Sequence, residues 1–548
     1  MSWEQNAIFY HIYPLGLCGA PQENPGGEPV SRIRQICDWI PHLKKMHVNA
    51  VYFGPLWESG THGYDTTDYT VLDRRLGTNE DFAAVCDALH ENGIRIVLDG
   101  VFNHVGRGFF AFQDVLKNGQ SSPYCGWFCN LWFGGSNRFG DPFSYESWHG
   151  CEELVKLNLR NEDVIRCLET AIIGWMEQFH IDGIRFDAAD CIDRDFFKRI
   201  RHLTKSRNPE FWLMGELIHG NYAQYANPEM LDSSTNYECW KGIWSSHNDQ
   251  NYFEINYAIN RQKDIYPGLM LYNFADNHDV ARLATQLREP RHLPLVYALL
   301  YAMPGIPSVY YGSEFGILGE KQHGDQALRP ALKWADTDAE HNALCQFLYT
   351  LGAAYAAHPV LQTGSFFTVE VRNRQLAFRR GDGDDAVYCL LNLADSAAEM
   401  PLPACGDGWT DLLTGQAVQT GSVQVPAFTA MWIAKPNDAD RTRFAGGAQQ
   451  TAEPAEPVKP PEMQAEAASD GVLPALGAEE LISRLAKLRR GMSFAEAEAV
   501  FGKARKTVEG GGIYTAGALT IRLSGDPLLS GLSAVSVETG EGAVQIAL

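Results

Sequence analysis

The sequence predicts an α/β protein. Its expected parts are a closed (β/α)8 TIM barrel with an insertion after strand 3, a C-terminal antiparallel β domain and a small tethered α+β module. Three observations predict it. From Ala7 to about residue 355, short apolar runs alternate with amphipathic helical stretches eight times over. Short strands of alternating polarity follow. Beyond residue 435, a stretch rich in Pro, Ala, Glu and Gln sets off a last segment.

The expected barrel strands are Ile8–Tyr13, Ala50–Pro55, Ile94–Val101, Ile181–Asp187, Phe211–Glu216, Leu231–Thr235, Leu271–Phe274 and Ser308–Tyr311. Parallel strands buried on both faces read as nearly continuous apolar runs, as these do. The sixth has the weakest pattern. Intervening helices repeat apolar residues every three or four positions, as at Val164, Ile165, Leu168, Ile172, Trp175 and Phe179. One connection breaks the rhythm. The segment after strand three carries twelve Phe, Trp or Tyr between Phe109 and Trp148. A loop that long in a compact barrel marks a functional insertion. Trp127, Phe128, Trp132, Phe133 and Phe139 either offer flat faces to sugars or build the insertion's own core. The barrel is thus expected at 1–104 and 162–357, with the insertion at 105–161.

Strands at Phe366–Val371, Gln375–Arg380, Val387–Asn392, Gly421–Pro426 and Phe428–Ile433 predict the antiparallel domain at 358–435. Residues 436–473, with Pro454, Pro457, Pro460 and Pro461, predict a disordered linker. The module at 474–548 should hold a helix through Leu481, Ile482, Leu485 and Leu488. A second helix should be capped by Ser493 and Glu496, with two or three strands after it. This pattern resembles the small domains of the outer-membrane assembly lipoprotein family. Its sequence points to no particular partner.

A net charge of −22 excludes a basic nucleic-acid footprint and suits a neutral substrate. The opening Met1-Ser-Trp-Glu-Gln-Asn lacks a basic segment and an apolar core, so no secretory signal is expected. No apolar run is long enough for membrane insertion. Twelve cysteines without framework spacing suit reduced thiols and a cytoplasmic location. Cys125, Cys129 and Cys151 lack the further pair or histidines that a zinc site needs.

The chemistry concentrates in four segments, each closing an apolar run: Asp99-Gly-Val-Phe-Asn-His104, Gly183-Ile-Arg-Phe-Asp-Ala188, Leu213-Met-Gly-Glu216 and Phe274-Ala-Asp-Asn-His-Asp279. They fall at the strand ends where such barrels place their chemistry. Cleaving a glycosidic bond takes two carboxyl groups flanking it, and a third can brace the cationic sugar. Asp187, Glu216 and Asp279 supply three. Arg185 and Asp187, two apart on a strand, face one side. The cation should keep Asp187 ionised, unless the two form only an ion pair at the barrel mouth. Glu216 ends an apolar run, so a raised pKa is expected, suiting a general acid. Glu216 or Asp279 alone can be read as a helix cap. His104 and His278 can donate hydrogen bonds to hydroxyls, and Tyr64 can stack under a ring. Asn103 either braces its loop or offers an oxygen to Ca²⁺.

These segments resemble the signatures of the α-amylase superfamily, glycoside hydrolase family 13. Val155-Lys-Leu-Asn158 is similar to a fifth signature in the form seen among neopullulanases and cyclomaltodextrinases. The resemblance covers residues 3–435. It implies Asp187 as nucleophile, Glu216 as acid/base and Asp279 as transition-state stabiliser. Tyr64, His104, Arg185 and His278 then line the subsite of the attacked glucose, with Asp99 as structural support. The expected activity is retaining hydrolysis of maltodextrins, with transglycosylation, isomerisation or a catalytically inactive binding protein as alternatives. The expected partner is an oligosaccharide. No cofactor is required; Ca²⁺ stays open. Two positions depart from the family: Asp190-Cys191 replaces a Lys-His pair, and Ile218 replaces a Trp.

Overall fold

The computed structural model describes residues 2–445, leaving out the side chain at position 323. Beyond them it describes the backbone of five strands, between 506 and 546. Contacts divide the chain into two units, Met1–Pro460 and Pro461–Leu548.

The first unit contains the barrel. Its strands are β1 (Phe9–Ile12), β2 (Ala50–Phe53), β3 (Arg95–Gly100), β4 (Gly183–Phe186), β5 (Trp212–Gly215), β6 (Ser233–Ser234), β7 (Tyr272–Phe274) and β8 (Ile306–Tyr310). All eight fall where the apolar runs predict. They pair in parallel in the order β6-β5-β4-β3-β2-β1-β8-β7. A parallel bridge from Thr235 to Tyr272 joins the two ends. Two residues are too few for a full ladder, which is why the sixth run read weakly. Side-chain amides fill the gap. Asn236 Nδ2 donates to Asn273 Oδ1 (2.7 Å) and to Gln262 Oε1 (3.0 Å), and Gln262 Nε2 donates back to Asn236 Oδ1 (2.7 Å). Buried and mutually bonded, these amides leave little polar surface unsatisfied.

Register decides where the chemistry emerges. Asp99 pairs with Arg185, and Arg185 with Met214; Gly100, Phe186 and Gly215 follow one step on. Asp187 and Glu216 therefore leave their strands at one level, on the C-terminal rim.

The helix Glu162–Gln178 shows how the flanking layer forms. Asn161 caps it, its side chain accepting from the Asp163 N–H (2.9 Å). Val164, Ile165, Leu168, Ile172 and Trp175 make its buried face, each fully buried side chain contributing about 1.5–3 kcal/mol. The helix Leu293–Ala302 is apolar all round because the antiparallel domain packs against it too.

The insertion holds a three-stranded sheet in which His104–Gly106 and Ser147–Trp148 flank Cys151–Lys156. Its aromatic residues divide. Trp127 and Phe128 are buried with Phe112 and Phe143, forming a core, whereas Trp132 and Phe139 are 64% and 43% exposed. The two buried rings are thus not sugar platforms.

The antiparallel domain contains β9 (Phe366–Val371), β10 (Gln375–Arg380), β11 (Val387–Asn392), β12 (Ala398–Leu402), β13 (Thr410–Asp411), β14 (Gly421–Val425) and β15 (Thr429–Ala434). One sheet runs β9-β10-β11-β15-β13, and β12 pairs with β14. The expected linker starts too early. Asp438–Ala445 is a helix, with buried Asp440 bonded to His358 (2.7 Å) and Arg443 donating to the Leu412 carbonyl (2.6 Å). A capping Asn437 and a buried ion pair override the polar composition. The rest of the linker, and both helices expected in the module, lie outside the described residues. In the second unit the strands Lys506–Val508, Gly511–Ala516, Leu519–Asp526, Gly531–Thr539 and Gly542–Ile546 form an antiparallel meander of five, more than the two or three expected.

Candidate active site

Arg185 organises the rim. It is fully buried near the end of β4, and one guanidinium reaches three carboxylates. Nη1 donates to Asp99 Oδ1 (2.8 Å) and Oδ2 (3.0 Å) and to Asp187 Oδ1 (3.0 Å), while Nη2 lies 2.8 Å from Glu216 Oε2. Burial works against its charge, but Asp99 and Glu216 outweigh that and raise its pKa well above the usual arginine value. The expected Arg185–Asp187 ion pair exists, inside a larger array. Asp99 is also held by Tyr52 (2.8 Å) and Tyr64 (3.2 Å), which fits its supporting role.

The Asp187 N–H donates to the Gly100 carbonyl (3.1 Å) and the Glu216 N–H to that of Phe186 (2.9 Å), fixing both at the strand ends. Gly215 is required beside them: a Cβ there would lie 2.6 Å from a Leu231 methyl. Ala188, after Asp187, takes a left-handed backbone (φ 44°), aiming its N–H at Glu216 Oε2 (3.3 Å). Such strain in a non-glycine residue collects at functional sites.

Two electrostatic expectations are corrected. Burial raises the Asp187 carboxyl well above the usual range; Arg185 opposes this, and Glu216, Asp99 and Asp279 add to it. Nor does Glu216 sit in an apolar pocket: Arg185, the Ala188 N–H and the Tyr237 hydroxyl (3.1 Å) all approach it.

Asp279 faces them from the end of β7, its side chain 36% exposed. It does not cap the next helix; Asp276 Oδ2 accepts from the Leu283 N–H instead (2.7 Å). Asn277 Oδ1 takes the Asp279 N–H (2.8 Å) and bends the chain. His278 Nε2 lies 3.0 Å from Asp279 Oδ2, and Arg329 Nη2 donates to Oδ1 (2.9 Å). Burial opposes ionisation here, but His278, Arg329 and Arg185 outweigh it and hold the carboxyl well below the usual range. Asp279 is ionised throughout the neutral range.

The remaining expected residues gather at the same rim. Tyr13 and Tyr64 stack on the His278 ring (centroids 5.8 and 5.6 Å), and the Tyr64 hydroxyl also meets His278 Nε2. Tyr64 is thus partly committed to protein contacts. His104 is buried beside Trp148, and burial lowers its pKa to about 3, so the ring is neutral. Its Nε2 has no partner. Val155 to Asn158 adjoin it, Lys156 pairing with His104 across the insertion sheet. Asp190 and Ile218 are exposed (Ile218 46%), and burial with Asp190 beside it raises the Cys191 thiol to about 11.

Sequence reasoning missed Arg329 and Tyr237. Arg329 comes from the loop after β8, which Arg282 anchors through the Leu328 carbonyl (2.8 Å). Tyr237 starts the helix after β6 and also accepts from Asn277 Nδ2 (3.1 Å). Neither sits in a strand-end motif; position after a barrel strand was the one available signal.

Asn103 Oδ1 is buried without a partner, but Ca²⁺ takes six to eight oxygens. Among the described residues, no group of three or more His, Cys, Asp or Glu could hold a metal ion. No helix among them is long and apolar enough to cross a membrane.

Comparison with known proteins agrees with this geometry. The family profile described as alpha amylase, catalytic domain, matches residues 30–347, and that of the maltogenic amylase C-terminal domain matches 366–432. A cyclomaltodextrinase of Bacillus sp is 32% identical over 414 residues, covering 71% of this chain and 73% of the relative. An intracellular maltogenic amylase of Bacillus subtilis is 27% identical over 64% of this chain and 61% of its own length. Among solved structures, ligand-free cyclic alpha-maltosyl-(1→6)-maltose hydrolase of Arthrobacter globiformis superposes with a TM-score of 0.69 at 26% identity, covering 79% of this chain and all of that one. The lipoprotein likeness expected for residues 474–548 finds no support among these matches.

Proposed function

The chain belongs to the α-amylase family of glycoside hydrolases, and from that premise we propose that it is a retaining enzyme of short α-1,4-glucans such as maltodextrins. One observation carries the reading: a single buried guanidinium bridges Asp187 and Glu216 across adjacent strand ends, with ionised Asp279 at the same rim.

Asp187 attacks the anomeric carbon while Glu216 protonates the leaving oxygen, giving a covalent glycosyl-enzyme. Glu216 then deprotonates the incoming water, and the α configuration is kept. In the empty site burial favours protonated Asp187; positive charge developing on the sugar reverses that and favours its carboxylate. Asp279, held ionised by His278 and Arg329, stabilises the same charge. Neutral His104 serves the hydroxyls of the attacked glucose, alongside His278, Tyr64 and Arg185.

Ile218 and Asp190-Cys191 on the leaving side favour short substrates over long starch chains. The free cysteines and the intracellular relative support action in the cytoplasm. We assign residues 105–161 as a site-shaping insertion and 358–435 as the supporting β domain.

Proton NMR of maltoheptaose cleavage tests the mechanism. The α anomer should appear first; immediate β product would overturn retention. Product sizing separates hydrolysis from transfer to a sugar hydroxyl, which would appear as chains longer than the substrate.

A further inference from the structure

At the N-terminal end of the barrel, opposite the catalytic rim, lies a cavity of about 310 Å³. Segments just before β1, β7 and β8 border it, with the helix Tyr252–Ile265 and the turn at Gln362–Gly364. Among the described residues its lining includes two cations, Arg380 and Lys263, and not one carboxylate. In a chain of net charge −22 that is unexpected.

Arg380 carries the argument. It is 1% exposed, at the end of β10. A buried cation needs compensation, yet among the described residues its partners are backbone carbonyls alone. Nη1 donates to Ala302 O (2.7 Å), and Nε and Nη2 donate to Gly364 O (3.2 and 3.0 Å). Both oxygens end helices, Leu293–Ala302 and Pro359–Thr363, where dipoles supply partial negative charge. Two fractions of a charge at helix ends do not replace a carboxylate, and burial lowers the Arg380 pKa to about 10. Three of its five N–H groups are used, leaving one on each terminal nitrogen. Lys263, in the last turn of its helix, makes no ion pair or hydrogen bond among the described residues. Gln5 and Thr363 add neutral hydrogen-bonding groups, and Tyr266 a buried ring wall.

We infer that this cavity binds a phosphoryl group, held by Arg380 and Lys263, with room beside it for the hexose of a small sugar phosphate. A doubly charged oxyanion supplies the missing counter-charge for both cations. The volume falls at the lower edge of the range for small-molecule sites, about 300–1,000 Å³, and exceeds what a bare phosphate fills. The amides and hydroxyl match sugar hydroxyls. The site is separate from the catalytic rim and independent of the reading given above.

Calorimetric titration of the full chain with glucose 6-phosphate, inorganic phosphate and glucose tests it. Glucose 6-phosphate should bind and glucose should not. Lys263→Glu and Thr363→Glu, both at exposed positions and each placing a carboxylate at the cavity, should weaken binding about tenfold or more. Maltoheptaose hydrolysis by both variants should stay at the wild-type rate. Inorganic phosphate binding as tightly as glucose 6-phosphate would support the phosphoryl site with free phosphate as its source. No binding at millimolar concentration, equal binding of glucose, or affinity unchanged in both variants would overturn it.

Discussion

Arg185 and Arg380 are both buried, near opposite ends of one barrel, and their surroundings could hardly differ more. Around Arg185 three carboxylates converge, and the cation's pKa rises. Around Arg380 there are carbonyls and a cavity, and its pKa falls. Burial alone therefore does not set a group's electrostatics; the partner chemistry does. Where opposite charges outnumber the cation, carboxyl groups are arrayed around one guanidinium. Where none is present, the positive charge remains available to a ligand.

The largest effects should come from breaking the acidic array. Asp187→Ala should lower kcat on maltoheptaose by about 10⁴-fold or more. Glu216→Gln should cost about 10²–10⁴-fold. Either variant turning over near the wild-type rate would remove its assigned role. Asp279→Asn keeps the shape but discards the charge, and kcat should drop about 10²–10³-fold with little change in KM. A rise in KM alone would make it a binding residue.

Smaller effects sharpen the contrast. Arg329→Met removes a cation holding Asp279 ionised, so kcat should fall about ten- to a hundredfold. Its acid limb should also move to higher pH, and Arg329→Lys should restore part of both. An unmoved limb would confine Arg329 to a structural role. Histidines buried without a counter-charge should show the smallest effect. Burial lowers both His104 and His247 to about 3, whereas the unfolded chain titrates near 6.5. Between those values the unfolded state binds more protons. Stability should therefore be full above about pH 6.5 and decline as pH falls toward 3. His247→Gln should flatten the Tm-against-pH slope over that window; an unchanged slope would show that His247 does not contribute.

Much of the barrel was legible because its signal is local. Fully buried parallel strands must be apolar throughout, so even β1, only Phe9–Ile12, stands out. The three candidate carboxyls were legible because each lies in a segment that closes such a run. β6 was hard to read because amide pairs, not apolar residues, complete the barrel there. The helix Asp438–Ala445 was missed because its polar sequence is stabilised by a contact with His358, 82 residues away. Trp127 and Trp132 look alike in sequence, yet one is core and the other exposed.

The sequence by itself determined the strand order, the insertion, the later β domain and the identity of the three carboxyls, since apolar period and strand-end motifs are written residue by residue. Tertiary structure alone decided that Arg185 bridges Asp187 to Glu216, that Arg329 and Tyr237 join the site, and that Arg380 faces a cavity. Those contacts link residues 21 to 78 positions apart, and charge acts through space: an electrostatic environment exists only once distant segments have been brought within a few ångströms.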